Sequence, residues 1–85
     1  MFNIKNKIIR KEIVEELESN YECLKECIRY KELIENDLEN EIKTCEDRED
    51  KELISELKLD LVRVENNIGD LKLDIKACLE LLLKY

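Results

Sequence analysis

The sequence has no proline and a single glycine, Gly69. Tight turns and β-hairpins draw on those two residues, so a sheet protein of 85 residues is excluded. Histidine is absent as well. No Ser-His or Cys-His pair can form, and the Glu-x-x-His ligand set of carboxylate-rich di-iron bundles cannot be assembled. The lone glycine rules out a phosphate-cradling loop. Small helical-hairpin phosphatases of response regulators have a comparable size, but their Ser-Gln-x-x-Leu-Asp type motif has no match in a chain without glutamine. The expectation is a protein that is not an enzyme, with no cofactor and no metal.

Long apolar runs are missing too. The longest Leu-rich stretch, Cys78 to Leu83, contains Glu80 and is far short of the roughly 20 residues that cross a bilayer. Met1 to Ile13 has charges every few residues and no apolar core of a secretory leader. A cytoplasmic location is expected, with no membrane contact.

What is present is charged and hydrophobic side chains in equal measure, 44% each, a balance typical of coiled coils and long helices. Ile, Lys, Asn and Glu abound while Ala77 is the single alanine. Their codons point to an AT-biased genome, such as that of a low-GC bacterium or one of its viruses or plasmids. The net charge of −7 is uneven. Residues 1–11 hold Lys5, Lys7, Arg10 and Lys11 and no acid, which leaves −11 on residues 12–85. An acidic body repels phosphate backbones, so direct nucleic-acid binding is not expected.

Two apolar stripes set the architecture. One keeps a 3-4 alternation through Ile54, Leu57, Leu61, Val64, Ile68, Leu71, Ile75, Cys78, Leu82 and Tyr85. A looser one runs Val14, Leu17, Tyr21, Leu24, Ile28, polar Lys31 and Glu35, then Leu38, Ile42 and Cys45. Such spacing keeps a seam on one side of a helix. Between the stripes, Glu46 to Lys51 contains no apolar residue. The expected fold is a single all-α domain over 1–85, an antiparallel helical hairpin or coiled coil. Residues 1–8 form a basic N-terminal segment, 9–45 helix one, 46–50 a charged turn and 51–85 helix two. Folding the stripes together sets Leu24 against Ile75, Tyr21 against Cys78 and Leu17 against Leu82. Ser19-Asn20-Tyr21-Glu22 and Asn66 to Gly69 offer capping signals, but the apolar phase runs unbroken through both, so continuous helices are expected.

Several residues fall outside this seam. Ile13, Cys27 and Ile34 widen the first stripe. Leu59, Val62, Gly69, Leu73 and Ala77 lie on another face of helix two. A whole exposed apolar row is unusual, so packing of helix two on two sides is expected, most simply in a homodimer forming a four-helix bundle. Phe2, Ile4, Ile8 and Ile9 have no partner in their own hairpin; that segment either folds back over the Leu-rich C-terminal end or packs on a second chain.

Cys23 and Cys27 have the i, i+4 spacing of a soft-metal ligand pair. The other two cysteines lie poorly for completing it, and the favoured reading makes Cys27, Cys45 and Cys78 small core hydrophobes with Cys23 on the surface. Lys31 and Glu35, opposite Ile68 and Val64, read as a polar layer that fixes register in preference to a binding contact.

The functional expectation is a small acidic interaction protein that binds a protein partner. The −11 body suggests an inhibitor occupying a functional surface of that partner, such as a nucleic-acid-binding one. In size and character the chain resembles virus-encoded proteins that block bacterial defence nucleases, such as anti-CRISPR proteins, although no motif carries the likeness. The alternative is a homo-oligomeric coiled-coil scaffold or adaptor. Partner-binding candidates are Leu59, Val62 and Leu73 on helix two and Glu46, Asp47, Glu49 and Asp50 at the turn.

Overall fold

The computed structural model describes residues 4–44 and 48–85, with the backbone alone for 48–50. Two helices account for nearly all of it: α1, Ile4–Thr44, and α2, Arg48–Lys84. They pack lengthwise as a hairpin, giving a rod of 68 × 14 × 13 Å. Its length agrees with 41 residues at a rise of about 1.5 Å each, roughly 61 Å. No described non-glycine residue has positive φ, and Gly69 does not either. Both helices are therefore continuous through the capping signals at Ser19–Glu22 and Asn66–Gly69.

The boundaries correct the sequence reading in two places. Helix one starts at Ile4, not at residue 9, so residues 4–12 prolong α1 and do not fold back over the C-terminal end. Nothing between Ile4 and Ile13 breaks a helix, and continuing one costs less than starting another. Helix two starts at Arg48, so residues 48–50 are helical and the charged turn is shorter than 46–50. Glu52 then follows its first turn, near the end where the backbone dipole favours acids. Lys43 and Lys84 occupy the last turns of α1 and α2, where it favours cations.

The α2 seam matches its sequence pattern as far as Leu82; Tyr85, the last residue of that pattern, is exposed. Val64, Ile68, Ile75 and Cys78 are buried, and Ile54, Leu57, Leu61, Leu71 and Leu82 are half-buried. The α1 seam is rotated from the expected one. Leu17, Leu24, Lys31 and Leu38 face α2 as expected, but the alternate positions are Ile13, Asn20, Cys27, Ile34 and Glu41. Val14, Tyr21, Ile28 and Ile42 are left exposed at the edge. The reason lies in the middle of the rod. There Ile34, with 4% of its surface exposed, joins Val64 and Ile68, and Leu24, Cys27, Leu57 and Leu61 pack around them. The expected phase would have placed the Glu35 carboxylate in that layer, and taking a charge out of water is costly even when a partner such as Lys31 is near. The observed phase leaves Glu35 exposed and takes Asn20 and Glu41 as its polar exceptions, each half-buried.

The rotation also resets the register. Asn20, not Tyr21, meets Cys78, its Nδ2 lying 3.9 Å from Sγ. Lys31 reaches out of the seam to Glu65 of α2 at 3.5 Å and to Glu35 of its own helix at 3.8 Å. Toward the open end, Arg10 Nη1 donates to the Leu82 carbonyl at 2.8 Å.

Candidate functional site: two unlike outer faces

The core is thin. Among the described residues, none of the large side chains falls below 2% exposure, and the buried set is Ile13, Ile34, Val64, Ile68, Ile75 and Cys78. A two-helix seam covers about one stripe of each helix, so everything else meets solvent or another molecule. Chemistry must therefore be sought on the outside.

The two helices present different outsides. Residues 12–41 of α1 carry eleven acidic and three basic side chains, a net −8. Most of those acids, Glu12, Glu15, Glu18, Glu22, Glu26, Glu32 and Glu39 among them, are exposed. Residues 51–84 of α2 carry seven acidic against six basic side chains, a net −1. The acidity read from the sequence as a property of the whole body thus belongs mainly to one helix. Counting charge helix by helix would have revealed it; counting it over the body concealed it.

The outer side of α2 is apolar instead. Leu59, Val62 and Leu73 are 51%, 52% and 65% exposed and follow one another along the side of α2 turned away from α1. Gly69 lies in the same row, and a Cβ built there meets no atom within 4 Å. Of the turn candidates, Glu46 and Asp47 lie outside the described residues. Glu49 and Asp50 are on the first turn of α2, where only the backbone is described. The structure does not bring that turn to the apolar row. Asp50 and Leu59 are nine residues apart on one helix, about 14 Å.

A second apolar strip runs along one edge of the hairpin, through Val14, Tyr21, Ile28 and Ile42. Near its end Leu38 and Ile42, with Glu35, Glu39 and Lys43, line a shallow dimple. This strip exists because the sequence offers more apolar residues on α1 than one seam can cover.

The cysteines divide by environment. Cys23 is exposed, Cys27 sits half-buried in the seam and Cys78 is buried; Cys45 lies outside the described residues. Cys23 thus stands in solvent one turn from Cys27, whose thiol is partly covered by the seam. Among the described residues no group of three or more His, Cys, Asp or Glu side chains is placed to hold a metal ion. Burial pushes the Cys78 thiol above its ordinary range. The nearby Glu16 and Asp74 carboxylates push it further, and the Asn20 hydrogen bond offsets only part of this. At neutral pH Cys78 is a thiol, and a thiol is a poor nucleophile.

Among the described residues, no helix is long and apolar enough to cross a membrane. The molecule is an all-α helical hairpin with an acidic helix on one side and an apolar-faced helix on the other. Comparison with known proteins finds no matching family model, no matching curated protein and no matching solved structure.

Proposed function

We propose that the protein is a non-enzymatic inhibitor that lays the acidic outer face of α1 on a basic, nucleic-acid-binding surface of a protein partner. The observation that carries this reading is the concentration of −8 on residues 12–41 of a straight helix. Those thirty residues span about 45 Å, or roughly one net negative charge per 6 Å. A single nucleic-acid strand carries one per about 3.4 Å and duplex DNA one per about 1.7 Å. Taken over all its sides, the helix is thus nearer in charge density to one strand than to a duplex, and its outward acids are densest from Glu15 to Glu26. A groove that holds a single strand through rows of Arg and Lys fits it best. The biological setting proposed is that of a virus-encoded antagonist of a bacterial defence nuclease.

The test is capture from the native host with two baits, the natural chain and a variant with Glu15, Glu18, Glu22 and Glu26 changed to Gln. The expected result is a nucleic-acid-binding protein held by the natural chain, lost by the variant and displaced by added single-stranded nucleic acid. Capture should also fail at about 0.5 M salt, where the screening length is about 4 Å. A partner held equally well by both baits and at high salt would overturn the electrostatic reading.

A second reading, the self-assembling scaffold, is favoured by a separate observation: the exposed row of Leu59, Val62 and Leu73 on α2. Self-assembly and an acidic docking face are compatible, since they use opposite sides of the rod.

A further inference from the structure

We propose that two copies of this chain pair through the outer row of α2, antiparallel, about a twofold axis between Asn66 and Gly69. This inference does not depend on the acidic-face reading of α1. The row follows a regular 3-4 alternation: Leu59, Val62, Asn66, Gly69, Leu73, Lys76. All six residues are exposed. Reversed onto itself about its midpoint, the row sets Val62 on Leu73 of the second copy and Asn66 on Gly69. Leu59 then lies under the aliphatic stem of Lys76. The open space over Gly69 lets the two backbones approach and leaves room for the opposing Asn66.

Charge decides the occupant and its direction. Residues flanking a two-helix seam set partner and orientation through ion pairs. In this antiparallel register Arg63 meets Asp70 of the second copy and Glu65 meets Lys72. The twofold axis repeats each pair, so all four flanking contacts join opposite charges. A parallel pairing would put Glu65 beside Asp70 and Lys58 beside Arg63. Sliding the antiparallel pair by one heptad sets like charges together in either direction, Asp70 on Asp70 and Lys72 on Lys72, or Arg63 on Arg63 and Glu65 on Glu65. A single register satisfies the row and its rims together. Within the chain Arg63 lies 3.5 Å from Asp60, and Glu65 lies 3.5 Å from Lys31. Both side chains are well exposed, 68% and 49%, and a second partner can share them. The four helices then lie side by side in one layer, α2 against α2 in the centre, and each α1 keeps its acidic face outward.

Sedimentation or light scattering across concentration, on the full chain, tests this. The natural chain is expected to shift from its 10.2 kDa monomer to twice that mass. Arg63→Asp alone and Asp70→Arg alone should each weaken the dimer about tenfold or more, because each creates two like-charge contacts. Combining them restores the pairs with their signs exchanged, and the dimer should return to near its natural affinity. Circular dichroism on each variant checks that these exposed positions leave the helices intact. A chain that stays monomeric at about 100 µM, far above a micromolar Kd, overturns the proposal. So does a dimer indifferent to the single changes, as one built on the Val14–Tyr21–Ile28 edge would be. A double variant weaker than either single one overturns it as well.

Discussion

The Arg10 guanidinium donates to the main-chain carbonyl of Leu82 at 2.8 Å, joining residues 72 apart in the sequence at the open end of the hairpin. The last four carbonyls of a helix lack partners within it, and a cation there also meets the negative end of the backbone dipole. One side chain thus ties the overhanging start of α1 to the end of α2.

Arg10→Ala should cost about 1 kcal/mol, below the roughly 1.5–3 kcal/mol of a bond to a charged group because this one is only partly buried. Hydrogen exchange should localise the effect, with faster exchange over the last turn of α2 and no change near Ile34. Uniform acceleration along the rod would mean that Arg10 acts on the whole seam and not on its end.

The seam phase makes a sharper prediction. Ile34 is 4% exposed and Ile28 is 41% exposed. Ile34→Ala should therefore cost about 2–5 kcal/mol and Ile28→Ala under about 1 kcal/mol, as read from chemical denaturation at a fixed chain concentration. The opposite ranking would restore the phase expected from the sequence.

Lys31 stands in the seam but reaches out of it, with its side chain 35% exposed and paired to Glu35 and Glu65. Pairs this exposed contribute about 0–1 kcal/mol. Lys31→Met keeps the stem over the seam, so stability should change by less than about 1 kcal/mol. The salt dependence of unfolding should fall. A large loss would show that the pairs fix the register and not merely decorate it.

The cysteines should react in the order of their exposure. At neutral pH an alkylating reagent should label Cys23 quickly, while Cys78 reacts only as the hairpin opens, read by peptide mass spectrometry. The Cys78 pKa is raised in the folded chain, so between the unfolded and folded values the unfolded state releases its proton first. Stability is thus unaffected by this group below the ordinary thiol range and declines as pH rises through and above it. Cys78→Ala should remove that part of the alkaline slope. An unchanged slope in the variant would contradict the burial argument.

How much of this was legible beforehand differs between the helices. In α2 every seam position from Ile54 to Leu82 is apolar, so periodicity alone identified the buried side. In α1 two apolar sets flank the shared positions Leu17, Leu24, Lys31 and Leu38. The set with the larger side chains, Val14, Tyr21, Ile28 and Ile42, drew the sequence reading to the wrong phase. The deciding residue was Glu35, which that phase buries at the centre; burial depth varies along a seam, and periodicity weighs every layer alike. Ile13, Cys27 and Ile34 read as flanks of the stripe in the sequence and form the seam itself in the structure. The continuation of α1 back to Ile4 was obscured by its lack of a partner helix, although no residue there breaks a helix. Leu59, Val62 and Leu73 were legible as an outward face because they sit opposite the seam on an unambiguous helix.

The account rests on a single reversal of the chain between Thr44 and Arg48 that lays α2 along α1. Pulsed spin-label distances between noncanonical labels at the exposed positions Glu18 and Glu80 test this most directly, in samples diluted with unlabelled chain so that only intramolecular pairs register. Helices packed side by side, with axes about 10 Å apart, should give roughly 20–30 Å once the label arms are included. A distribution centred near 90 Å, the span of 62 residues in one unbroken helix at about 1.5 Å each, would contradict the hairpin and everything built on it.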